Sequence, residues 1–235
     1  MEDLTELMAT IKAYDWGKSG APLLAIDAEI RKILGHAEHL AKLEEALLGV
    51  LRSDASFAAK RGVCKRLGLI ATERSVATLA AMLPSPETSD MARYSLERIP
   101  SPAVEAALRE ALPKTQGTIR VGVINSLGYR KDSKAVAVLG KLLDDSNEAV
   151  AQAAAWALGR IGGGEATRLL AQHKNAAGRR VRSEVLDAYL VCAGYLLAEG
   201  DKIQAVAIYN ELNGEAMPEP IRRAASRGLN KAAAS

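Results

Sequence analysis

EAVAQAAAWALGRIG, residues 148–162, decides the reading of this chain. It is a helix-forming run whose apolar positions Ala154 and Leu158 lie four apart on one face, and it stops at the glycines 162–164, which terminate a helix and turn the chain. Its centre, WALGRI at 156–161, recurs as CKRLGLI at 64–70 and NSLGYR at 125–130. YSLERI at 94–99 is a fourth copy, with Glu97 in the place of glycine. The central leucines Leu67, Leu96, Leu127 and Leu158 are spaced 29, 31 and 31 residues apart, and Leu190 and Leu229 extend the series at 32 and 39. Self-similarity at such a period marks a repeat architecture.

Ahead of each copy lies a second helical pattern, at 38–51, 73–83, 102–112, 133–143 and 164–173. Pro-Ser-Pro at 84–86 and again at 100–102, Pro113, and Asp-Asp-Ser-Asn at 144–147 separate the helices. Ser101 before Pro102 reads as a cap followed by a first-turn proline, and Asp132 or Ser133 caps the next helix. Each unit is therefore an A helix, a tight turn and a B helix, about six in all. Residues 2–13 and 21–34 read as two N-terminal helices joined by the Trp-Gly-Lys-Ser-Gly loop at 16–20.

The composition agrees. Of 235 residues 49% are apolar, yet only 4% are aromatic, with Phe57 the single phenylalanine. Small and aliphatic side chains suit closely packed helices better than a β-sandwich. Cys64 and Cys192 are isolated from each other in sequence, which argues against a disulfide framework or structural zinc and for two small buried helix residues. The N-terminus has no basic-then-apolar export pattern, and no apolar run reaches the about 20 residues that span a bilayer. A cytoplasmic location is the expectation.

Residues 148–162 resemble the B helix of short HEAT-like repeats, as found in bacterial scaffolds and bilin lyases. The run 64–161 is similar to HEAT domains of large bacterial multidomain proteins. The resemblance covers residues 38–174 and implies an all-α, right-handed α-solenoid of two-helix HEAT-like repeats. The expected organisation is one domain over 1–235, with N-terminal helices at 1–37, HEAT-like repeats at 38–174 and longer helices at 175–235. In the last part, Ala193, Leu196, Gly200, Asp201, Ala205 and Tyr209 match the spacing of a tetratricopeptide hairpin. A longer helix pair of the same stack is the other reading. The last helix, 220–231, has no A helix after it, so the native chain is expected to continue beyond Ser235; a closed end, with Ile221, Ala225 and Leu229 packed back on 201–212, is the other reading.

Counting from each anchor leucine sorts the B helices into columns. Four residues earlier stand Val63, Ala92, Val123, Ala154, Leu186 and Ala225, a uniformly apolar column that belongs to the core. Two earlier stand Lys65, Tyr94, Asn125, Trp156, Ala188 and Arg227; two later stand Leu69, Arg98, Tyr129, Arg160, Cys192 and Lys231. These two columns are four apart and share one face. The resemblance implies that this face is concave. The B segments carry +12 while the whole chain is +3, so the remainder carries −9. A field divided in this way favours an acidic partner. Tyr94, Arg98, Asn125, Tyr129, Trp156 and Arg160 are the candidate partner-binding residues, since aromatic and arginine side chains anchor interfaces. For Trp156 the competing reading is burial between neighbouring B helices.

Constellations for chemistry are incomplete. His36 and His39 lie three apart with Glu38 between them, but neither HExxH nor a carboxylate set accompanies them. Gly17-Lys18-Ser19 lacks the upstream glycine and strand of a phosphate loop. The expectation is a protein with no catalytic residues, cofactor or metal, acting as a protein-interaction scaffold. Nucleic-acid binding along the basic B face and a bilin-lyase-like role are the alternatives; membrane insertion is not expected.

Overall fold

The computed structural model describes residues 4–175 and 179–234, and among them every regular element is helical. Glu2 and Asp3, included in the first expected helix, lie outside the described residues. The fourteen α-helices divide between two compact units, Met1–Thr115 and Gln116–Ser235.

The first unit holds α1 (Leu4–Lys12), α2 (Ala21–Ile33), α3 (Ala37–Leu51), α4 (Phe57–Ile70), α5 (Val76–Ala81), α6 (Ser89–Leu96) and α7 (Ala103–Ala111). Helix α4 packs on α3 and α2 and then on α6, while α5 packs on α6 and α7. This is the alternation of A and B helices that the repeat requires. Ser56 opens α4 by accepting the Ala59 N–H at 3.1 Å, and Ser101 Oγ accepts the Ala103 N–H at 3.1 Å at the start of α7.

The second unit holds α8 (Gly117–Tyr129), α9 (Val136–Leu142), α10 (Glu148–Ile161), α11 (Gly163–His173), α12 (Arg179–Ala198), α13 (Lys202–Leu212) and α14 (Glu219–Ala234). Helix α10 lies between α8 and α12, and α9 and α11 form the facing layer. Of the two caps open for the helix after α8, it is Asp132 that accepts the Lys134 N–H, at 3.2 Å. Gly162, at φ 70°, breaks α10 from α11 where the glycine run foretold a turn. Tyr209 of α13 fits where side chains are missing from α12 and α14. A Cβ on Gly228 would come 2.4 Å from its ring, and one on Gly194 would meet its hydroxyl at 3.8 Å.

The core follows the anchor series. Leu67, Leu96, Leu127 and Leu158 are fully buried, as is the whole column Val63, Ala92, Val123, Ala154, Leu186 and Ala225. Cys64 and Cys192 are buried thiols, and burial pushes Cys64 up to about 12, far from thiolate chemistry at neutral pH.

One register is corrected in α12. Leu190 is only half-buried, whereas Tyr189, Val185 and Cys192 are buried and Asp187 and Val191 are exposed. Tyr189 is therefore the anchor, 31 residues after Leu158, and the solvent-facing columns there are Asp187 and Val191 in place of Ala188 and Cys192. A tyrosine serves at an anchor position because its polar tip has a partner. The hydroxyl donates to Glu211 Oε2 at 3.3 Å, and Glu211 is also paired with Lys174 at 2.8 Å.

Candidate interaction site

The candidate residues fall on or just after three B helices: Tyr94 on α6 of the first unit with Arg98 in the turn after it, Asn125 and Tyr129 on α8, and Trp156 and Arg160 on α10 of the second. Tyr94 and Trp156 are 38% and 37% exposed and Tyr129 is 57% exposed, so all three rings reach solvent. Asn125 and Arg160 are half-buried and Arg98 is exposed.

Two of these pairs are built in the same way. The glycine after an anchor leucine leaves a shallow seat, and the aromatic ring of the next B helix lies on it. A Cβ on Gly68 would come 2.9 Å from Tyr94 Cε1, and a Cβ on Gly128 would come 2.9 Å from Trp156 Cζ3. An arginine four residues further along then covers the ring. The Arg98 guanidinium lies 3.6 Å from the Tyr94 ring centre and that of Arg160 lies 5.9 Å from Trp156. Each unit thus carries a glycine, aromatic and arginine stack on its B face. Trp156 satisfies both readings of its position, since one edge of the ring is packed on α8 and the other is open.

Asn125 and Trp156 are brought together with Gln152 and Glu184 around an open groove of about 420 Å³. Glu184 was not among the expected residues. Its carboxyl is pushed up by burial and then by the charge of Asp187, and Asp187 is itself pushed up by burial. Two carboxylates, Glu184 and Asp187, thus stand on α12 of the second unit, which the summed charge of the B segments concealed.

The first unit differs. Phe57, Arg61, Lys65 and Leu69 recur every four residues along α4 and form one stripe beside Tyr94. Phe57 and Leu69 are exposed, at 46% and 71%. Extending the two exposed columns back along the helix by four and eight residues reaches Arg61 and Phe57, so this signal was present in the sequence. Several B-helix cations are already neutralised: Arg66 makes a two-pronged pair with Asp27, at 2.9 and 2.6 Å, and Arg93 pairs with Asp90 and with Glu97. Arg120 likewise pairs with Asp145 at 3.6 Å.

His36 and His39 meet edge-on with ring centres 5.8 Å apart. The loop 16–20 turns back on α1, with Lys18 Nζ donating to the Ala13 carbonyl at 2.6 Å. Among the described residues no helix is long and apolar enough to cross a membrane.

Comparison with known proteins places these features. No curated protein matches the chain. Among solved structures, one of lipovitellin, described by its lipid–protein interactions, superposes over 98% of this chain with a TM-score of 0.62 and 15% identity. The chain spans only 27% of the length of that lipovitellin chain, and the likeness is one of fold. An engineered protein is similar over 99% of this chain and 69% of its own, at 19% identity and a TM-score of 0.48. The family model for HEAT repeats matches residues 106–189, a stretch that holds the anchors Leu127, Leu158 and Tyr189. Over residues 106–189 this all-helical chain is thus similar to HEAT repeats.

Proposed function

We propose that the protein is a non-catalytic interaction scaffold that receives a partner protein on the exposed face of its B helices. The observation that carries this reading is the repeated stack of glycine, aromatic and arginine in both units, Gly68 with Tyr94 and Arg98, and Gly128 with Trp156 and Arg160. Packing one ring edge against a glycine and covering it with a guanidinium fixes the rotamer while part of the ring stays open, and a preorganised aromatic loses little entropy on binding. HEAT repeats carry no common chemistry, and the family commonly mediates protein interactions. Asn125 and Tyr129, on α8 of the second unit, add polar contacts to that unit's B helices.

The partner presents acidic groups to the first unit. Nucleic acid is the weaker reading, because Glu184 and Asp187 line the B face of the second unit and repel a phosphate backbone. The test is calorimetry with a captured partner at low and high salt, comparing the natural chain with a variant carrying Arg98→Ala, Tyr129→Ala, Trp156→Ala and Arg160→Ala. The expected result is loss of binding with the fold intact. Equal affinity in the variant places the site away from these four residues, on α4, the A helices or the turns.

A further inference from the structure

We propose that the groove between α4 and α6 is a docking site for an acidic segment of a partner protein that carries an apolar side chain between its carboxylates. The inference rests on the scaffold reading and locates one of its contacts. The groove is a cavity of about 460 Å³ whose lining includes Phe57, Cys64, Pro86, Met91 and Tyr94. Beside it lies a smaller pocket of about 120 Å³, walled by Trp16 and Leu23. Arg61 and Lys65 line both pockets and so form the ridge between them.

Those two cations supply the positive side of the groove. Neither makes an ion pair with a carboxylate among the described residues, in contrast to Arg66 and Arg93 close by. Arg61 is held instead against the Trp16 ring, 5.8 Å from its centre. An extended segment crossing the ridge would place an apolar side chain in the larger cavity and its flanking carboxylates against Arg61 and Lys65. A side chain entering a desolvated apolar pocket supplies affinity, and the charges set the choice of partner and the encounter rate.

The opposite rim decides between a peptide and a polyanion. Glu87 and Asp90 line the same cavity as Phe57 and Tyr94. Asp90 is balanced by Arg93, while Glu87 makes no ion pair among the described residues. A nucleic-acid strand carries a charge at every phosphate and would meet that rim with like charge. A peptide can direct its carboxylates to one side only.

The experiment is selection from a phage-displayed library of short random peptides on the full-length protein, followed by fluorescence anisotropy of the best peptide at low and high salt. The expected outcome is enrichment of sequences with Asp or Glu flanking an aromatic or aliphatic residue. Their affinity should fall about tenfold or more in the double variant Arg61→Glu, Lys65→Glu and weaken with salt. The milder pair Arg61→Gln, Lys65→Gln, with circular dichroism on both, separates lost charge from lost fold. Enriched peptides without acidic bias, or acidic peptides that bind both variants equally, overturn the groove. If binding is lost on Trp156→Ala with Arg160→Ala and not on the α4 variants, the scaffold reading stands and the groove does not. If no peptide is enriched, both fail as peptide-binding proposals. An oligothymidylate that binds more tightly than the best peptide and is lost in the same α4 variants assigns the groove to single-stranded nucleic acid instead.

Discussion

Gly128 of α8 and Ala157 of α10 approach so closely that a Cβ built on the glycine would lie 2.8 Å from the alanine Cα. Gly159 repeats the relationship one B helix later, with Ala188 at the same 2.8 Å. In both cases a glycine one residue after an anchor meets an alanine one residue before the next. Backbone against backbone is the tightest packing two helices can reach, and it leaves no flexible atom to move aside. The recurrent Leu-Gly of the sequence is therefore an interhelical contact rather than a helix break.

Gly128→Ala and Gly159→Ala should each destabilise the second unit by about 1–3 kcal/mol, the usual cost of overpacking. Gly68→Ala should cost less. Its new methyl meets the Tyr94 ring and Arg98 Cδ, at 2.9 and 3.1 Å, and exposed side chains can shift. Gly49 of α3 has nothing within 4 Å of its would-be Cβ, so Gly49→Ala should stabilise by about 1 kcal/mol through helix propensity. Urea denaturation of the four variants orders them; equal effects at Gly128 and Gly49 would contradict the close approach.

Leu127 is fully buried, and Leu127→Ala should cost about 2–5 kcal/mol. The register of α12 can be checked alongside it. Tyr189→Ala should cost about 3–5 kcal/mol, whereas Leu190→Ala, at a half-buried position, should cost clearly less. Thermal melts in which Leu190→Ala is the more damaging of the two would restore the anchor to Leu190.

The α12 register shows what the sequence makes legible and what it does not. Four anchors at spacings of 29 and 31, each with an apolar residue four earlier, were enough to predict two-helix repeats and their core. At the fifth anchor, two adjacent apolar residues, Tyr189 and Leu190, fit the spacing almost equally. Leu190 continues the leucine series, and the partner that lets a tyrosine serve as anchor, Glu211, lies in another helix. The aromatic and arginine pairs of the candidate site were visible as two columns four apart. Their seats on Gly68 and Gly128 were not, since nothing in one helix shows which residue of the preceding helix lies beneath a ring. Summing charge over whole segments also hid the split between the cationic ridge of α4 and the carboxylates of α12, because a sum does not distinguish paired from unpaired charges.

Glu44 is a buried carboxylate of α3 that holds the start of the following repeat. It accepts the Thr72 N–H at 2.7 Å, the Thr72 hydroxyl at 2.9 Å and the Ser75 hydroxyl at 2.6 Å. Glu73 repeats the arrangement by accepting the Ser101 hydroxyl at 2.6 Å, 28 residues on, as Thr72 is from Glu44. Glu44→Ala strands three donors and should cost about 1–3 kcal/mol, with Glu44→Gln intermediate because it keeps one acceptor oxygen. Hydrogen exchange should locate the loss at residues 72–76. A protection pattern there identical to the natural chain would show that Glu44 does not hold this turn.

The last prediction concerns pH and the acidic end of the second unit's face. Burial, and then the charge of Asp187, hold the Glu184 carboxyl above its ordinary value of 4.5. A carboxyl with a raised pKa in the folded state binds its proton more tightly there than in the unfolded chain. Its contribution is therefore fully present below the unfolded value and is lost as the pH rises through the folded one. The charged form of Glu184 is the one disfavoured in the fold, so Glu184→Gln should stabilise the protein at neutral pH. The advantage should shrink as the pH falls through the carboxylate range, since protonation removes the same charge from the natural chain. Comparing the two proteins cancels the contribution of the other carboxylates. Denaturation midpoints at neutral pH and near 4.5 check this. A difference between the proteins that stays constant over that range would mean that Glu184 titrates alike in both states.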